Sequence, residues 1–347
     1  SVLAKAIEAD SKGSDLIVFP EMFLSGYQPL DLVNKLSFLD SISQQVKRIA
    51  QNTKDLSVRI LIGGPWLLDG KVYNAYISIY RGDIKIVSKK THLPNYDVFD
   101  EKRYFVSGDE LEVLDLGTLK IGFPICEDVW HPDVIARLKK MGAELIIIPN
   151  GSPYESSKLA ERQAIIKSRC KESNLPIIYL NLVGGQDDLV FDGGSFVYDN
   201  KGTIVCQFPQ FVEKNWQVIL ERRKNSWVPL PHSLAEIGSR QSQDYKAVVL
   251  GLKDYVLKSN FHKVVIGLSG GIDSALVAVM ARDALGPENV VCLALPSKFN
   301  SKASLDDARR LSKNLGINFE IIGIQEIIDK VDQHLASLFK GKERHVT

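Results

Sequence analysis

Three short apolar runs in the first half of the chain each deliver a side chain able to do chemistry. "DLIVFPE" ends in Glu21, "IKIVSKKTHL" carries Lys90 and "KIGFPIC" ends in Cys126. A thiolate attacks an amide or nitrile carbon, a carboxylate can take the thiol proton, and a cation can stabilise the oxygen that becomes negative. Each residue alone has a plainer reading: Glu21 as an acid near a helix start, Lys90 as a solvated lysine, Cys126 as core filler. If the three runs are parallel neighbours, their carboxyl ends share one sheet edge, where open α/β sites form, and the trio converges.

A second chemistry-bearing stretch is "VVIGLSGGIDSALVAVM", residues 264–280. Gly270 and Gly271 stand between an apolar strand and a helix, so backbone N–H groups can turn toward an anion at the positive end of that helix. Ser269 and Ser274 add hydroxyls, and the whole reads as a phosphate cradle. No Lys follows the glycines, so it is not a G-x-x-x-x-G-K-[ST] loop, and it is not G-x-G-x-x-G either.

The elements that must position these residues fall into two patterns. Up to residue 222, β-type runs at 15–20, 58–64, 74–80, 84–89, 120–125, 144–149 and 176–181 alternate with helical patterns at 34–52, 132–142 and 156–173. "SFVYDNKGTIVCQF", 195–208, reads as a hairpin. A helix at 3–11 comes first with no strand ahead of it, so the expectation is a domain lacking its first strand. Residues 223–243 are polar and contain prolines, and are read as a linker. From 244 the order is helix (244–258), strand (263–268), helix (274–285), strand (289–296), helix (303–315), strand (318–324) and helix (about 325–339). That β-α-β-α-β order predicts a parallel doubly wound sheet. The expected domains are therefore 1–222 and 244–347.

Composition narrows the partners. At 347 residues the chain has room for roughly two domains of ~100–200 residues. Forty-three basic against 42 acidic residues give a formal charge of +1 with no long like-charge block, so neither nucleic acid nor a membrane surface is expected as partner. Cys126, Cys170, Cys206 and Cys292 form no C-x-x-C pair, which argues against thiolate metal sites. No run approaches the ~18 apolar residues of a membrane span and no signal sequence is evident, so the expected compartment is the cytoplasm.

The strings "FPEMFLSGY", "KTHLPNY", "FDEKRYFVSGD", "PICEDVW", "NGSPY" and "LVGGQDDLVFDGGS" occur in the family's order. They resemble the glutaminase domain of the glutamine-dependent NAD synthetases, a branch of the nitrilase or carbon–nitrogen hydrolase superfamily. The resemblance implies α/β architecture throughout: a nitrilase-like α-β-β-α sandwich, then part of a doubly wound parallel-sheet domain of the adenine nucleotide alpha hydrolase type. It implies Glu21, Lys90 and Cys126 as the catalytic trio and Glu101 as a second acid holding the lysine. Tyr96, Ser152 and Lys158 match glutamine-contacting positions, and a cation at Lys158 suits the substrate's α-carboxylate.

The string S-G-G-x-D-S resembles the pyrophosphate loop of the ATP pyrophosphatases. It implies Gly267, Leu268, Ser269, Gly270, Gly271, Ile272, Asp273 and Ser274 as ATP-binding residues, with Asp273 a Mg²⁺ ligand. "LALPSKFNSKASLDDA", 293–308, is similar to the family segment beside the adenosine pocket. The implied partners are glutamine, deamido-NAD and ATP, with no prosthetic group, in a homo-oligomer. One site would release ammonia from glutamine; the other would adenylate a carboxylate so that ammonia, passed between domains, displaces AMP and forms NAD. Later family segments, Thr-Glu-Glu-Asn and Thr-Gly-Asn-Lys-Ser-Glu, are not found in residues 325–347, so a chain cut at both ends, unable to complete the second step, is the expectation. A stand-alone amidase and a non-catalytic remnant are the alternatives.

Overall fold

Strands apolar on both faces decide how the first unit is layered. A computed structural model describes residues 1–224, 226–338 and 340. Its first unit, Ser1–Ala247, opens with α1 (Val2–Ser11), β1 (Leu16–Val18) and α2 (Leu36–Asn52). The strands β2 (Arg59–Leu68), β3 (Lys71–Tyr80), β4 (Asp83–Lys89), β5 (Val113–Asp115) and β6 (Lys120–Gly122) follow. Next come α3 (Asp133–Lys140), β7 (Leu145–Asn150), α4 (Lys158–Ser173) and β8 (Ile177–Asn181). Two hairpins, β9 (Val183–Gln186) with β10 (Leu189–Asp192) and β11 (Phe196–Tyr198) with β12 (Ile204–Gln207), lead to a third, β13 (Leu220–Arg223) with β14 (Ser226–Pro229). Helix α5 (Arg240–Lys258) runs past Val248 into the second unit.

Among the described residues, β1-β2-β3-β4 form one sheet and β12-β11-β8-β7-β6-β5 another. Successive strand residues point to opposite faces. On β2, Ile60 and Ile62 pack with Ala6 of α1 and with Val46 and Ala50 of α2, whereas Leu61 joins Tyr76, Val87, Ile121, Leu145 and Ile147 between the sheets. On β7 the phase repeats: Ile146 and Ile148 pack with Val134 and Leu138 of α3 and Ile166 of α4, while Leu145 and Ile147 face the other sheet. The result is helices, sheet, sheet, helices, the sandwich expected from the resemblance. Cys126 belongs to the cluster between the sheets.

The three runs carrying Glu21, Lys90 and Cys126 are not parallel neighbours, contrary to that expectation. Strands β1 and β4 are the two edges of one sheet; β1 pairs parallel to β2, and β2-β3-β4 is an antiparallel meander. Its turns are Asp69-Gly70 and Arg81-Gly82, with positive φ at all four positions, the two-residue geometry that matches strand twist. Because two reversals restore direction, β1 and β4 still end at the same edge. Cys126 follows β6 in the opposite sheet, so the trio is brought together by sheet-on-sheet packing.

The segment 223–243 is not a bare linker. Its first part is the β13–β14 hairpin, and beyond it His232 N donates to Val205 O at 3.0 Å and Ala235 N to Gln207 O at 2.9 Å, alongside β12. Pro229 and Pro231 obscured that pattern, yet proline is compatible with an edge position.

The second unit contains β15 (Val264–Gly267), α6 (Ile272–Leu285), β16 (Val290–Ala294), α7 (Lys302–Leu315), β17 (Asn318–Ile321) and α8 (Gln325–Leu335). Residue 339, the last of the expected final helix, lies outside the described residues. The strands pair in parallel in the order β15-β16-β17, as the β-α-β-α-β reading requires. Its own core is built from Leu268, Ala278, Ala281, Val290, Cys292, Ala308 and Ile317. No helix among the described residues is long and apolar enough to cross a membrane.

Candidate active site

The chain beyond β1 stays against β2, with Phe19 N donating to Leu61 O at 2.8 Å and Leu24 N to Gly63 O at 3.1 Å. Tyr76 Oη donates to Phe19 O at 2.8 Å. Between these anchors Glu21 enters the interior, 1% exposed. Its Oε1 accepts from Lys90 Nζ at 2.9 Å and from Asn74 Nδ2 at 2.7 Å, and its Oε2 accepts from Gly151 N at 2.7 Å. Lys90, fixed at the end of β4 by its N–H to Asn74 O at 2.8 Å, also donates to Glu101 Oε1 at 2.8 Å. Tyr27 Oη donates to the same Glu101 oxygen at 2.8 Å.

One buried ammonium thus stands between two buried carboxylates. Burial pulls the Lys90 ammonium down, but Glu101 and Glu21 outweigh it and hold its pKa well above the ordinary lysine value. Burial pushes Glu101 up, with Lys90 opposing. The Cys126 thiol is likewise pushed well above its ordinary value by burial, then by the Glu21 charge, with Lys90 pulling the other way. It therefore rests as a neutral thiol at pH 7.

Cys126 opens a single 3₁₀ turn, Cys126–Val129, and has φ of 43°. For a side chain with a Cβ that region costs about 1–2 kcal/mol. Such strain persists only where the surroundings over-determine it, and it concentrates at reactive sites. Among those surroundings is Asp128, fully buried, which accepts from Thr91 N at 3.0 Å, His92 N at 2.8 Å and Ile125 N at 2.8 Å.

The residues matched to glutamine contacts have separate environments. Tyr96 is 45% exposed, and its hydroxyl donates to Glu127 Oε2 at 2.8 Å; burial and that bond raise its pKa. Lys158, the first residue of α4, places Nζ 4.9 Å from the Trp130 ring centroid, with Glu161 at 3.4 Å and Glu155 at 3.9 Å. Ser152 is buried, and its Oγ accepts from Arg162 Nε at 3.1 Å.

Arg162 was missed from sequence. It is 2% exposed and also donates to Asp192 Oδ1 at 2.8 Å, Ser152 O at 2.9 Å and Pro153 O at 2.7 Å, fixing the loop that presents Gly151 to Glu21. The available signal was its place on the stripe Leu159, Arg162, Ile166, Cys170, where a charge interrupts the buried face of α4. Tyr27, Asn74 and Asp128 were missed for a different cause: their contacts with the site run to residues distant in sequence.

In the second unit the Ser269–Ser274 turn closes on itself. Ser269 Oγ and Ser274 Oγ are 3.0 Å apart, Ser269 N donates to Ser274 Oγ at 3.2 Å and Gly271 N to Ser269 Oγ at 3.2 Å. Gly270 has φ of 86°, and a Cβ there would lie 2.2 Å from Ser304 O, so glycine is required. Asp273 lies in the first turn of α6. Among the described residues no group of three or more His, Cys, Asp or Glu could hold a metal ion.

A two-sheet sandwich with a buried acid–lysine–thiol cluster, followed by a parallel sheet with a Gly-Gly strand-to-helix turn, defines a two-unit α/β protein. Residues 1–225 match the family model for carbon-nitrogen hydrolase, and the chain belongs to that family; residues 244–343 match the model for NAD synthase. The chain is 45% identical over 335 residues to the glutamine-dependent NAD(+) synthetase of Rhodobacter capsulatus, covering 96% of this chain and 60% of that one. It is 39% identical over 383 residues to that of Thermotoga maritima, covering 99% and 66%. The solved structure of a glutamine-dependent NAD+ synthetase from Acinetobacter baumannii in complex with ADP superposes with a TM-score of 0.91 at 32% identity, over 99% of this chain and 65% of that one. An amidase of the nitrilase superfamily from Nesterenkonia shares the sandwich fold, with a TM-score of 0.53 at 22% identity over 60% of this chain and 78% of its own. The chain thus spans between three fifths and two thirds of the length of these curated relatives.

Proposed function

We propose that the first unit hydrolyses glutamine at Cys126 and that the second binds ATP, as parts of a glutamine-dependent amide-forming ligase that converts deamido-NAD to NAD. The observation carrying this reading is the buried Lys90 ammonium held by both Glu21 and Glu101 beside a thiol. Because the thiol rests neutral, its proton leaves as Sγ attacks the side-chain amide carbon, and Glu21 receives it. The Lys90 ammonium stabilises the oxygen that becomes negative. Protonated Glu21 then gives its proton to the departing ammonia, leaving a thioester; water attacks that thioester with Glu21 again as base, and glutamate leaves. Glu101 keeps Lys90 charged throughout. Tyr96, Ser152 and Lys158 serve to orient glutamine, with Lys158 toward its α-carboxylate.

In the second unit, Gly267–Ser274 cradles the ATP pyrophosphate at the start of α6. A carboxylate beside a phosphate loop fits Mg²⁺, which keeps most of its shell as water and phosphate oxygens; Asp273 would hold it, and the ion would neutralise charge on the leaving pyrophosphate. Adenylation of the deamido-NAD carboxylate is needed because a carboxylate resists direct attack by ammonia. The reading includes a cytoplasmic homo-oligomer without nucleic-acid or membrane partners. All four cysteines are free and buried, which suits a reducing compartment.

The test is glutamate release from glutamine by the purified chain, abolished by Cys126→Ala. A glutamine-analogue electrophile should add its mass to the peptide containing Cys126. Labelling at Cys170 or Cys206 instead would overturn the assignment.

A further inference from the structure

Asp128 makes no hydrogen bond to Glu21, Lys90 or Glu101, yet its three bonds end on the neighbours of two of the reacting groups. Thr91 and His92 directly follow Lys90, and Ile125 directly precedes Cys126. Oδ1 accepts from Thr91 N at 3.0 Å and His92 N at 2.8 Å, and Oδ2 accepts from Ile125 N at 2.8 Å. The bond to Ile125 is a local cap of the Cys126 turn, and a cap would need nothing more. The other two cross 36 and 37 residues, from the loop leaving one sheet to the loop leaving the other. A carboxylate that is 0% exposed is costly to ionise, and this one is spent where ammonium and thiol emerge from opposite sheets.

We infer that Asp128 is a positioning residue that sets the separation of the Lys90 ammonium from the Cys126 thiol by clamping the two sheets' loops together. The inference rests on the reading of Cys126 as nucleophile. The clamp needs the carboxylate ionised, because a protonated oxygen would present a donor to a backbone donor. Burial pushes Asp128 up to about 6, against the opposing pull of the amides of His92 and Ile125 and of the Lys90 and His92 charges. The other titratable groups around this site include Cys126 and Glu127 on its own turn, His131, stacked on His92 at 4.0 Å and 3.8 Å from Glu127, Tyr96, which donates to Glu127, and Asp133 at the start of α3, which lies 2.9 Å from His92 Nε2. The clamp therefore weakens as pH falls through about 6.

The experiment compares wild type with Asp128→Asn, whose oxygen keeps Thr91 and His92 while its amide nitrogen opposes the Ile125 donor. The expected result is a fall in kcat for glutamine of about 10²-fold, the usual cost of misplacing reacting groups by about 1 Å, with KM changed by less than about threefold. The acid limb of kcat near pH 6 should vanish in Asp128→Asn and persist in Asp128→Glu, which keeps the titratable carboxylate. Iodoacetamide alkylation of Cys126, followed by peptide mass, is expected to slow about tenfold in Asp128→Asn, because the cation that favours thiolate is displaced.

Unchanged kcat in both variants, or alkylation of Asp128→Asn at the wild-type rate, overturns the inference. If wild type releases no glutamate, the functional reading falls, and the alkylation rates alone decide the clamp. Should Asp128→Asn not fold, the same rates are read on Asp128→Ser, whose single hydroxyl cannot accept from all three amides, and a wild-type value there overturns it.

Discussion

At the scale of single residues, every partner of the Glu21 carboxylate is a donor: the Lys90 ammonium, the Asn74 amide and the Gly151 N–H. Glu21→Gln is therefore not a silent change of charge, because its amide nitrogen must face another donor. It should lower kcat by about 10²–10⁴-fold as a lost base and also destabilise the fold by about 1–3 kcal/mol as an unsatisfied buried group, read by urea denaturation. Lys158→Ala, by contrast, should mainly raise KM, because an α-carboxylate is held alike in ground and transition states; a fall in kcat alone would refute that role. The two shifted charges act over different pH windows. Lys90 is held above its ordinary value, so its contribution to stability is complete below its unfolded pKa of about 10.4 and is lost only at strongly alkaline pH. Asp128 is an acid raised by burial from 3.8 to about 6, so between those values the folded state holds the extra proton and stability falls as pH rises. The fall is about 3 kcal/mol. Denaturation midpoints for wild type should decline relative to Asp128→Asn across that window, and parallel curves would contradict the shift. The convergence of Glu21, Lys90 and Cys126 was legible from sequence because each lies at or just beyond an apolar run. It was not legible at Tyr27, or at Asp128 beyond its local bond to Ile125, because the remaining partners lie 36 to 74 residues away and are supplied only by folding.

At the scale of elements, the continuous apolar runs in "RILIGG" and "LIIIPN" were enough to anticipate buried sheets, because each strand must satisfy a helical layer on one face and the opposite sheet on the other. What an apolar run cannot give is which sheet a strand joins. The expected shared edge of three parallel strands was replaced by two edge strands of one sheet facing a strand of another, since the Asp69-Gly70 and Arg81-Gly82 turns force an antiparallel meander. The β13–β14 hairpin was hidden by the polar, proline-containing surroundings that read as linker. Helix α4 was legible as a helix but not as a clamp. Arg162 on its buried face satisfies Ser152, Pro153 and Asp192, and with it the loop holding Gly151. Arg162→Leu fits the stripe by polarity yet removes the cation from Asp192, which retains the Gln210 and Asn181 amides, and the guanidinium donors from Ser152 Oγ and Pro153 O. We expect a loss of about 3–5 kcal/mol, the cost of breaking a buried pair from one side, measured by chemical denaturation. A loss below about 1 kcal/mol would mean that the pair contributes no more than a surface salt bridge does.

At the scale of the whole chain, the two units have separate cores. The clusters that bury Glu21 and Cys126 draw only on residues before Val248, and the cluster under the Ser269–Ser274 turn draws only on residues after it. Lesions in one core should therefore leave the chemistry of the other unit in place. Gly270 offers the sharpest trial, because its φ of 86° and the 2.2 Å approach of Ser304 O leave no room for a Cβ. Gly270→Ala must displace either the turn or the start of α7, and with it the backbone N–H groups that would meet pyrophosphate. MgATP affinity, measured by titration calorimetry, should fall at least about tenfold, the equivalent of about 1.4 kcal/mol. Glutamate release at Cys126 should stay within about twofold of wild type, since surface and remote changes usually act additively when no partner is shared. Unchanged ATP affinity would remove the turn from the nucleotide site. A parallel collapse of glutaminase activity would instead reveal that the turn is coupled to the thiol, in spite of the separate cores.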